Sequence, residues 1–294
     1  MLIYDRQYRL RTEKASALVR MHDVGLDIPR TIILTDEFDY ENHINKTTFF
    51  EDSQLLYIRF VYSDKKYPHC SYRIIEGRKL SRALRNMSSE FNGREYDIVI
   101  QPFLEFDYSG GVLLRDELAI CEQVCGAPVT LLRHGAVQYR TIHYKNDNSF
   151  DCQNYNQKYK KMWAESDFID VDNEIAETDN TGTVLDKLRS MSIDHNSTIY
   201  EWGISKGELI FMDMKTLPMT SYRDITQNNV QCIIVHPVSK ENKCKELVFD
   251  FPRFEYIDGL LTDLAPKVTI RNGAALSHFC TYCATNEVPC MVRA

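Results

Sequence analysis

Near the end of the chain, Ser277 and His278 stand where a strand and a turn of small residues lead into a predicted helix. The start of a helix carries partial positive charge and unpaired backbone N–H groups, which together favour an anion. An imidazole at this position can take up a phosphoryl group whose oxygens are stabilised by the neighbouring amides. His278 is therefore a candidate phosphate carrier, although a histidine after a turn is also a common surface or capping residue.

Charged residues earlier in the chain have the types that an ATP site requires. Such a site places cations against the phosphates and carboxylates around Mg²⁺. The candidate cations are Lys14, Arg59 and Arg115. Glu201 and Asp213 are the candidate metal ligands, because they lie on the two arms of a predicted hairpin and can converge on one face. Taken singly, each of these residues can equally be an ordinary surface charge.

The predicted helices and strands position these side chains. TEKASALVRMHDVGLDIP predicts a helix that is capped by Thr12 and ends at Gly25, with Lys14 in its first turn. QLLYIRFVYS predicts a strand around Arg59, and REYDIVIQPFLEFDYSGGVLLRDE predicts two strands, of which the second ends at Arg115. The apolar run in APVTLLRHG predicts a further strand.

A hairpin and a linker are predicted further along the chain. STIYEWGI and LIFMDMKTL, joined by a short turn, predict the hairpin that carries the two acids. The mostly polar segment 217–230 contains Pro218 and predicts a linker between compact units. The segment 231–294 then alternates strand and helix patterns, which predicts a small α/β unit near the lower size limit for independent folding. The segment 145–188 gives no clear pattern.

Composition is typical of a globular protein. The chain has 294 residues, 44% of them hydrophobic, and a net charge of −7 with no basic cluster, so we expect no nucleic-acid partner. The start does not resemble a secretory signal and no apolar run is long enough to span a membrane, so we expect a cytoplasmic protein without a membrane partner. Nine irregularly spaced cysteines favour free thiols. Cys280 and Cys283 form a CxxC, a weak zinc signal that we interpret as helix packing.

Taken in order along the chain, these segments resemble the motifs of the phosphoenolpyruvate-utilising phosphotransferases. That group includes phosphoenolpyruvate synthase, pyruvate phosphate dikinase, rifampicin phosphotransferase and glutamine kinase. Its members pair an ATP-grasp-like nucleotide-binding region with a small swivelling phosphohistidine domain. The resemblance therefore implies an α/β (α+β) fold with the ATP-grasp-like region in residues 1–216, a linker at 217–230 and the mobile phosphohistidine domain in residues 231–294.

The first of these motifs concern the nucleotide. EKASALVRMHDVGLDIP resembles the family's Gly-Gly-Lys helix, which implies that Lys14 is the phosphate-binding lysine. IRFVYSD resembles its Val-Arg-Ser-Ser stretch, which implies the same role for Arg59, and DIVIQPFLEFDYSGGVLLRD resembles the hinge and the following segment, with Arg115 on a family arginine. The resemblance also implies that adenine meets the backbone of four hinge residues, Gln101, Pro102, Phe103 and Leu104.

Two later motifs concern the metal and the transferred group. IYEWGISKGELIFMDMK resembles the metal-binding hairpin, which implies Mg²⁺ ligands at Glu201 and Asp213. NGAALSHFCTYCATNEVPC resembles the Gly-Gly-x-x-Ser-His helix motif and implies that His278 is the phosphorylated histidine. Loss of glycine hinders close approach of backbone to phosphate, whereas Asp in place of Gln adds a hard oxygen ligand. The departures from the family pattern are Thr12-Glu13 and Asn272 for glycines, Phe60-Val61 for Ser-Ser, Asp213 for Gln and Lys215 for Arg.

The resemblance implies a reaction in which ATP and Mg²⁺ phosphorylate His278 and AMP and phosphate are released. No acceptor domain is visible, so we expect the acceptor to be a small molecule or a separate protein, and pyruvate only if a second polypeptide supplies the barrel. Two other interpretations stay open. The chain can be a catalytically silent relative that binds nucleotide or a partner protein, or an ATP-grasp ligase in which His278 is dispensable.

Overall fold

The computed structural model shows a mixed α+β protein with three β-sheets among the residues that it describes. No helix in this part of the chain is long and apolar enough to cross a membrane. The described residues are 1–4, 9–35, 50–62, 70–90, 96–115, 118–132, 134–144, 149–154, 178–191, 197–218, 222–227, 230–236, 246–249, 252, 267–271 and 274–293.

The first sheet has the strand order β1-β2-β5-β3-β4. Only the β1–β2 pair is parallel. Alternate side chains of β2, β3 and β5 form a buried cluster with Leu80 and Leu84 of α2, so that Arg59 lies on the opposite face of β3. The elements are β1 (Leu2–Tyr4), α1 (Glu13–Asp23), β2 (Thr31–Thr35), β3 (Leu55–Tyr62), β4 (Cys70–Glu76), a 3₁₀ turn (Gly77–Lys79), α2 (Leu80–Glu90) and β5 (Tyr96–Pro102).

The second sheet has the order β11-β10-β6-β7-β8-β9. Its central pairs, from β10 through β6, β7 and β8 to β9, are all antiparallel. The elements are β6 (Tyr108–Leu114), β7 (Leu118–Cys125), α3 (Val129–Leu132), β8 (Tyr139–Tyr144), β9 (Ser149–Asn154), α4 (Thr181–Arg189), β10 (Thr198–Ser205) and β11 (Glu208–Thr216).

The third sheet has the order β12-β13-β16-β15-β14, with the β14–β15 and β15–β16 pairs parallel. Helix α5 lies between β15 and β16, and this crossover carries His278. The elements are β12 (Arg223–Gln227), β13 (Val230–His236), β14 (Glu246–Phe249), β15 (Lys267–Ile270), α5 (His278–Thr285) and β16 (Cys290–Arg293).

By its internal contacts the chain divides into two compact units. The first unit is Met1–Glu105 with Ile210–Met214, and the second is Phe106–Leu209 with Lys215–Ala294. Within the second unit, one hydrophobic core joins side chains of the second sheet to the third sheet and α5. These boundaries differ from the predicted domains 1–216 and 231–294, and the segment 217–230 that was predicted as a linker contains β12.

Most predicted elements near the candidate site are confirmed, including the helix after Thr12, the strand around Arg59, the hairpin and the helix that begins at His278. The strand predicted in APVTLLRHG is wrong, because Val129–Leu132 is a short helix. Leu132 N bonds to Pro128 O and Gly135 N to Leu131 O, so the proline begins a helical turn. An apolar run of four residues has no period that distinguishes the two structures. The unassigned segment 145–188 lies largely outside the described residues.

Candidate functional site

His278 is the first residue of α5, and its side chain remains 40% exposed. Ser277 caps the helix, since its Oγ accepts a hydrogen bond from Cys280 N at 3.3 Å. The helix stays in place because Phe279, Cys280, Cys283 and Ala284 are buried in the core, of which His278 is not a member. The Nε2 atom of His278 lies 3.4 Å from Oε1 of Glu201 on β10. The ring is therefore accessible and has a carboxylate beside one nitrogen.

The three residues that precede Ser277 are fixed by hydrogen bonds to other parts of the second unit. Ala274 N donates to the carbonyl of Gly135 at 2.7 Å, and Ala275 O accepts from the hydroxyl of Tyr222 at 2.9 Å. The amides of Ala275 and Leu276 both donate to the carboxylate of Glu122, each at 2.9 Å. The backbone that leads into the candidate phosphate carrier is therefore held at each residue.

Glu122 belongs to a row of directly paired residues that crosses the second sheet. The strand registers pair Arg140 with Glu122, Glu122 with Gly111, and Gly111 with Glu201. Directly paired residues lie on the same face of a sheet. Two carboxylates thus flank Gly111 on the face that receives the segment before His278. A Cβ atom at Gly111 would lie 3.3 Å from the side chain of Leu276, so the glycine makes room for that segment.

Lys14 lies in the first turn of α1, as predicted, and its ammonium group forms an ion pair with Asp213. Thr12 caps this helix by accepting a hydrogen bond from Ala15 N at 3.3 Å. The buried carboxylate of Asp97 accepts from Arg11 N at 2.9 Å, and from the amide and the hydroxyl of Thr12 at 2.7 and 2.6 Å. Thr12 is therefore a structural cap whose amide is already bonded to an acid.

Arg59 is buried in the first unit and holds a side chain of the predicted adenine segment. Its Nη2 donates to Oε1 of Gln101 at 2.5 Å, and Gln101 Nε2 donates to the hydroxyl of Thr31 at 2.9 Å. The guanidinium also lies 5.3 Å from the ring centroid of Tyr57, a cation–π distance. Among the described residues, Arg59 Nε has no hydrogen-bond partner although it is buried, which is a costly arrangement for a donor.

The four predicted hinge residues lie next to the point where the chain passes from the first unit to the second. Gln101 and Pro102 end β5, and Leu104 is partly buried. Phe103 is 39% exposed, but its amide already donates to Leu55 O at 2.8 Å. Of these four residues, Gln101 is the one whose side chain is held by Arg59 and Thr31.

Arg115 has a structural partner in the second unit. Its Nη1 donates to the carbonyl of Tyr222 at 2.6 Å. Tyr222 is buried and has a φ of 59°, a left-handed conformation that is uncommon outside glycine. Arg115 therefore holds the strained residue that precedes the third sheet.

The structure brings the predicted site residues together in pairs. Lys14 meets Asp213 in the first unit, and Glu201 meets His278 in the second. Carboxylates suit Mg²⁺, which commonly takes one or two of them with water and substrate phosphates. Within the described ranges, no three His, Cys, Asp or Glu side chains form a group that could hold a metal ion. The shared metal site of Glu201 and Asp213 stays a prediction.

The CxxC cysteines lie in the core of the second unit. Cys280 and Cys283 are buried free thiols that pack with Phe279 and the third sheet. Hydrogen bonds with both of them, together with burial, raise the pKa of the Cys290 thiol well above its ordinary value. All five cysteines whose state the structure describes are free, which agrees with the predicted free thiols and packing role.

Sequence reasoning missed Asp97 and Glu122, the two acids that hold the segments before Lys14 and His278. Each is a charged residue at a fully buried position in a mainly apolar strand. Such residues are rarely buried unless they are paired, so their position in a strand was an available signal. Their partners lie 85 and 153 residues away, which a single sequence does not reveal.

Comparison with known proteins gave no family assignment. No family model matches the chain, and the search of curated proteins found no match. Among solved structures, the D-alanine–D-alanine ligase from Coxiella burnetii aligns with a TM-score of 0.37 and 8% sequence identity over 71% of this chain. The chain spans about half of that protein, 48% of its length. Similarity at this level establishes neither a shared fold nor a shared activity.

Proposed function

We propose that the protein is an ATP-dependent phosphotransferase in which His278 carries a phosphoryl group from ATP to an acceptor. The observation that supports this most is the placement of His278 at the start of α5, half-exposed, with Nε2 facing the carboxylate of Glu201. The positive end of the helix favours the phosphoryl oxygens after transfer. A covalent intermediate divides one difficult transfer into two easier steps.

In the proposed reaction, Nε2 of His278 passes its proton to the carboxylate of Glu201 and then attacks as the nucleophile, and the histidine finally carries the β-phosphoryl group of ATP. The bond between the α- and β-phosphates breaks to release AMP, and water releases the γ-phosphate as inorganic phosphate. The overall balance is ATP, water and acceptor giving AMP, phosphate and phosphorylated acceptor. Catalysis of such transfers depends mainly on positioning and on charge stabilisation.

Other residues are assigned to the nucleotide on the basis of their charge and position. Lys14 and Arg59 are proposed to bind phosphates, with Arg115 as a third cation, and adenine is proposed to lie against residues 101–104. The oxygen donors of Glu201 and Asp213 fit Mg²⁺ by their chemistry, and Mg²⁺ would neutralise phosphate charge when bound. Asp213 must then exchange its contact with Lys14 for the metal.

The acceptor is proposed to be a small molecule or a separate protein. Delivery requires His278 to leave Glu201 with its phosphoryl group, and the proposed mobile domain is the segment 231–294 with 217–230 as its connection. The hydrogen bonds and the core that hold this segment in the second unit must then break and re-form during turnover.

A labelling experiment with His278→Ala tests this proposal. The wild-type protein, incubated with radiolabelled ATP and Mg²⁺, should acquire a label that is acid-labile and base-stable, as a phosphohistidine is. His278→Ala should acquire none, whereas His22→Ala, a control that changes another partly exposed histidine, should label like the wild type. Turnover of ATP should yield AMP and phosphate.

Two observations favour the silent relative as a second candidate. Asp213 neutralises Lys14, and Asp97 occupies amides that precede it. Intact nucleotide binding without any label would support this candidate. ATP turnover that persists in His278→Ala when carboxylate and amine substrates are supplied would instead support the ATP-grasp ligase.

A further inference from the structure

We propose, on the basis of the function proposed for His278, that Glu122 is a positioning residue for that histidine. Glu122 does not touch the imidazole. It fixes the backbone at Ala275 and Leu276, and this places the ring against Glu201. All of these residues belong to the second unit.

The first support is the number and direction of the contacts to Glu122. Its Oε1 accepts from Arg140 Nε at 2.7 Å, Arg140 Nη2 at 2.6 Å and Ala275 N at 2.9 Å, while Oε2 accepts from Leu276 N at 2.9 Å. Both side chains of the ion pair are essentially inaccessible. A buried charge is costly unless it is paired and hydrogen-bonded. Arg140 compensates the charge, and the amides make Glu122 a fixed attachment for one segment.

The second support is the position of the segment before His278 over the sheet, between Glu122 and Glu201. Glu122 and Glu201 are each paired with Gly111, so they are separated by two strand spacings, about 10 Å. The side chain of Leu276 would lie 3.3 Å from a Cβ atom at Gly111, so the segment before His278 passes over this glycine, between the two acids. Its backbone is bound to Glu122, and the imidazole that follows faces Glu201. Loss of the first attachment leaves the ring free to move away from the second.

Glu122→Gln keeps the shape of the side chain but removes an acceptor for the backbone amides. If the amide oxygen keeps the bonds to Arg140 and Ala275, the NH₂ group faces the N–H of Leu276, where two donors oppose each other. The matched control is Gln123→Ala, the next residue of β7, which faces the other side of the sheet. The Gln123 side chain also makes two hydrogen bonds to backbone atoms, donating to Thr178 O and accepting from Asn180 N. Its loss therefore releases a different segment from the same strand and leaves the segment before His278 in place.

Rapid-quench labelling of His278 is the first measurement. In Glu122→Gln the single-turnover rate should fall by roughly ten- to a hundredfold, the effect expected for a small misplacement of a reacting group, while the affinity for ATP stays unchanged. Gln123→Ala should label at the wild-type rate. Equal labelling rates in the two variants would overturn the inference and leave the function of His278 intact.

A second measurement needs no ATP and decides the case even if the wild type takes no label, an outcome that would refute the proposed function. Amide exchange at Ala275 and Leu276, and modification of His278 by diethyl pyrocarbonate, should both be faster in Glu122→Gln than in Gln123→Ala. Faster exchange together with faster modification supports positioning by Glu122. Faster exchange with unchanged modification overturns it, because the backbone would then move without moving the ring.

Discussion

Acidic side chains contact Lys14 and His278, the two candidate reactive residues, and bind the backbone that precedes each of them. Asp213 pairs with Lys14, Glu201 faces His278, and Asp97 and Glu122 hold the backbone before each of them. Asp213 stands where the motif that the sequence resembles has glutamine, and it is the residue that pairs with Lys14. In the proposed function, a carboxylate here would compete with ATP for the ammonium group and would at the same time offer a ligand to Mg²⁺.

Asp213→Asn should therefore change nucleotide binding in opposite directions with and without metal. Without Mg²⁺ the affinity for ATP should rise, because Lys14 is no longer neutralised, and with Mg²⁺ it should fall. The ion pair is partly exposed, so the free energy of unfolding should change by no more than about 1 kcal/mol. Calorimetric titration in EDTA and in Mg²⁺ measures both effects, with Glu208→Gln on the same strand as the control. Unchanged affinity in EDTA would show that the pair does not restrict Lys14.

At the scale of elements, α1 and α5 are built alike. Each begins with a hydroxyl cap, Thr12 or Ser277, and in each the preceding backbone donates to a buried carboxylate from a strand. The hydroxyl caps bond to Ala15 N and Cys280 N, amides that a helix start otherwise leaves unpaired. The carboxylates fix the backbone just before each helix. Together these contacts explain why each helix begins at a fixed residue.

Thr12→Ala should lower the free energy of unfolding by about 1–2 kcal/mol, since it removes the cap to Ala15 and the hydroxyl bond to Asp97. Thr12→Ser keeps both hydroxyl contacts and should remain close to the wild type. Urea denaturation measures the difference. Equal loss in both variants would mean that the methyl group, not the hydroxyl, stabilises this helix start.

Two glycines, Gly110 in β6 and Gly182 in α4, should respond in opposite ways to replacement by alanine. A Cβ atom at Gly110 would lie 1.9 Å from the carbonyl oxygen of Glu122 and 2.7 Å from the ring of Trp202, so Gly110→Ala should destabilise by about 3 kcal/mol or more. For Gly182 in α4, no atom of the described residues lies within 4 Å of such a Cβ position. Gly182→Ala should stabilise by about 0.5–1 kcal/mol through helix propensity. Thermal unfolding compares the two, and a tolerated Gly110→Ala would contradict the close strand packing.

At the scale of the whole molecule, the second unit has a core in which most members come from residues 217–292 and a few, such as Leu113 and Ile199, come from the second sheet. If the phosphohistidine domain moves as proposed, the core residues from 217–292 must separate from the few that belong to the second sheet. The segment 217–294, which supplies most of the core, must then remain folded without the second sheet.

A fragment of residues 217–294 should accordingly unfold cooperatively, although at a lower temperature than the intact chain, because it loses the cover of Leu113 and Ile199. Circular dichroism during heating measures this transition. A fragment without a cooperative transition would contradict an independently moving domain.

The sequence predicted the local elements better than their long-range contacts. Periodicity and capping identified the helices after Thr12 and Ser277, because those signals lie within a few residues. The bond from Lys14 to Asp213 joins residues 199 positions apart, and the attachment of Leu276 to Glu122 spans 154. Such contacts depend on which strands become neighbours. That choice is made by the packing of whole sheets, and no local pattern encodes it.

Position-specific labelling tests the central claim most directly. The protein should be incubated with Mg²⁺ and ATP labelled either at the β- or at the γ-phosphate, and the labelled peptide should then be mapped under alkaline conditions. The β-label should appear on the peptide that contains His278, and the γ-label should appear only in released phosphate. A γ-label on the protein, a label on another peptide, or no label at all would contradict a phosphohistidine formed at His278 from the β-phosphoryl group of ATP.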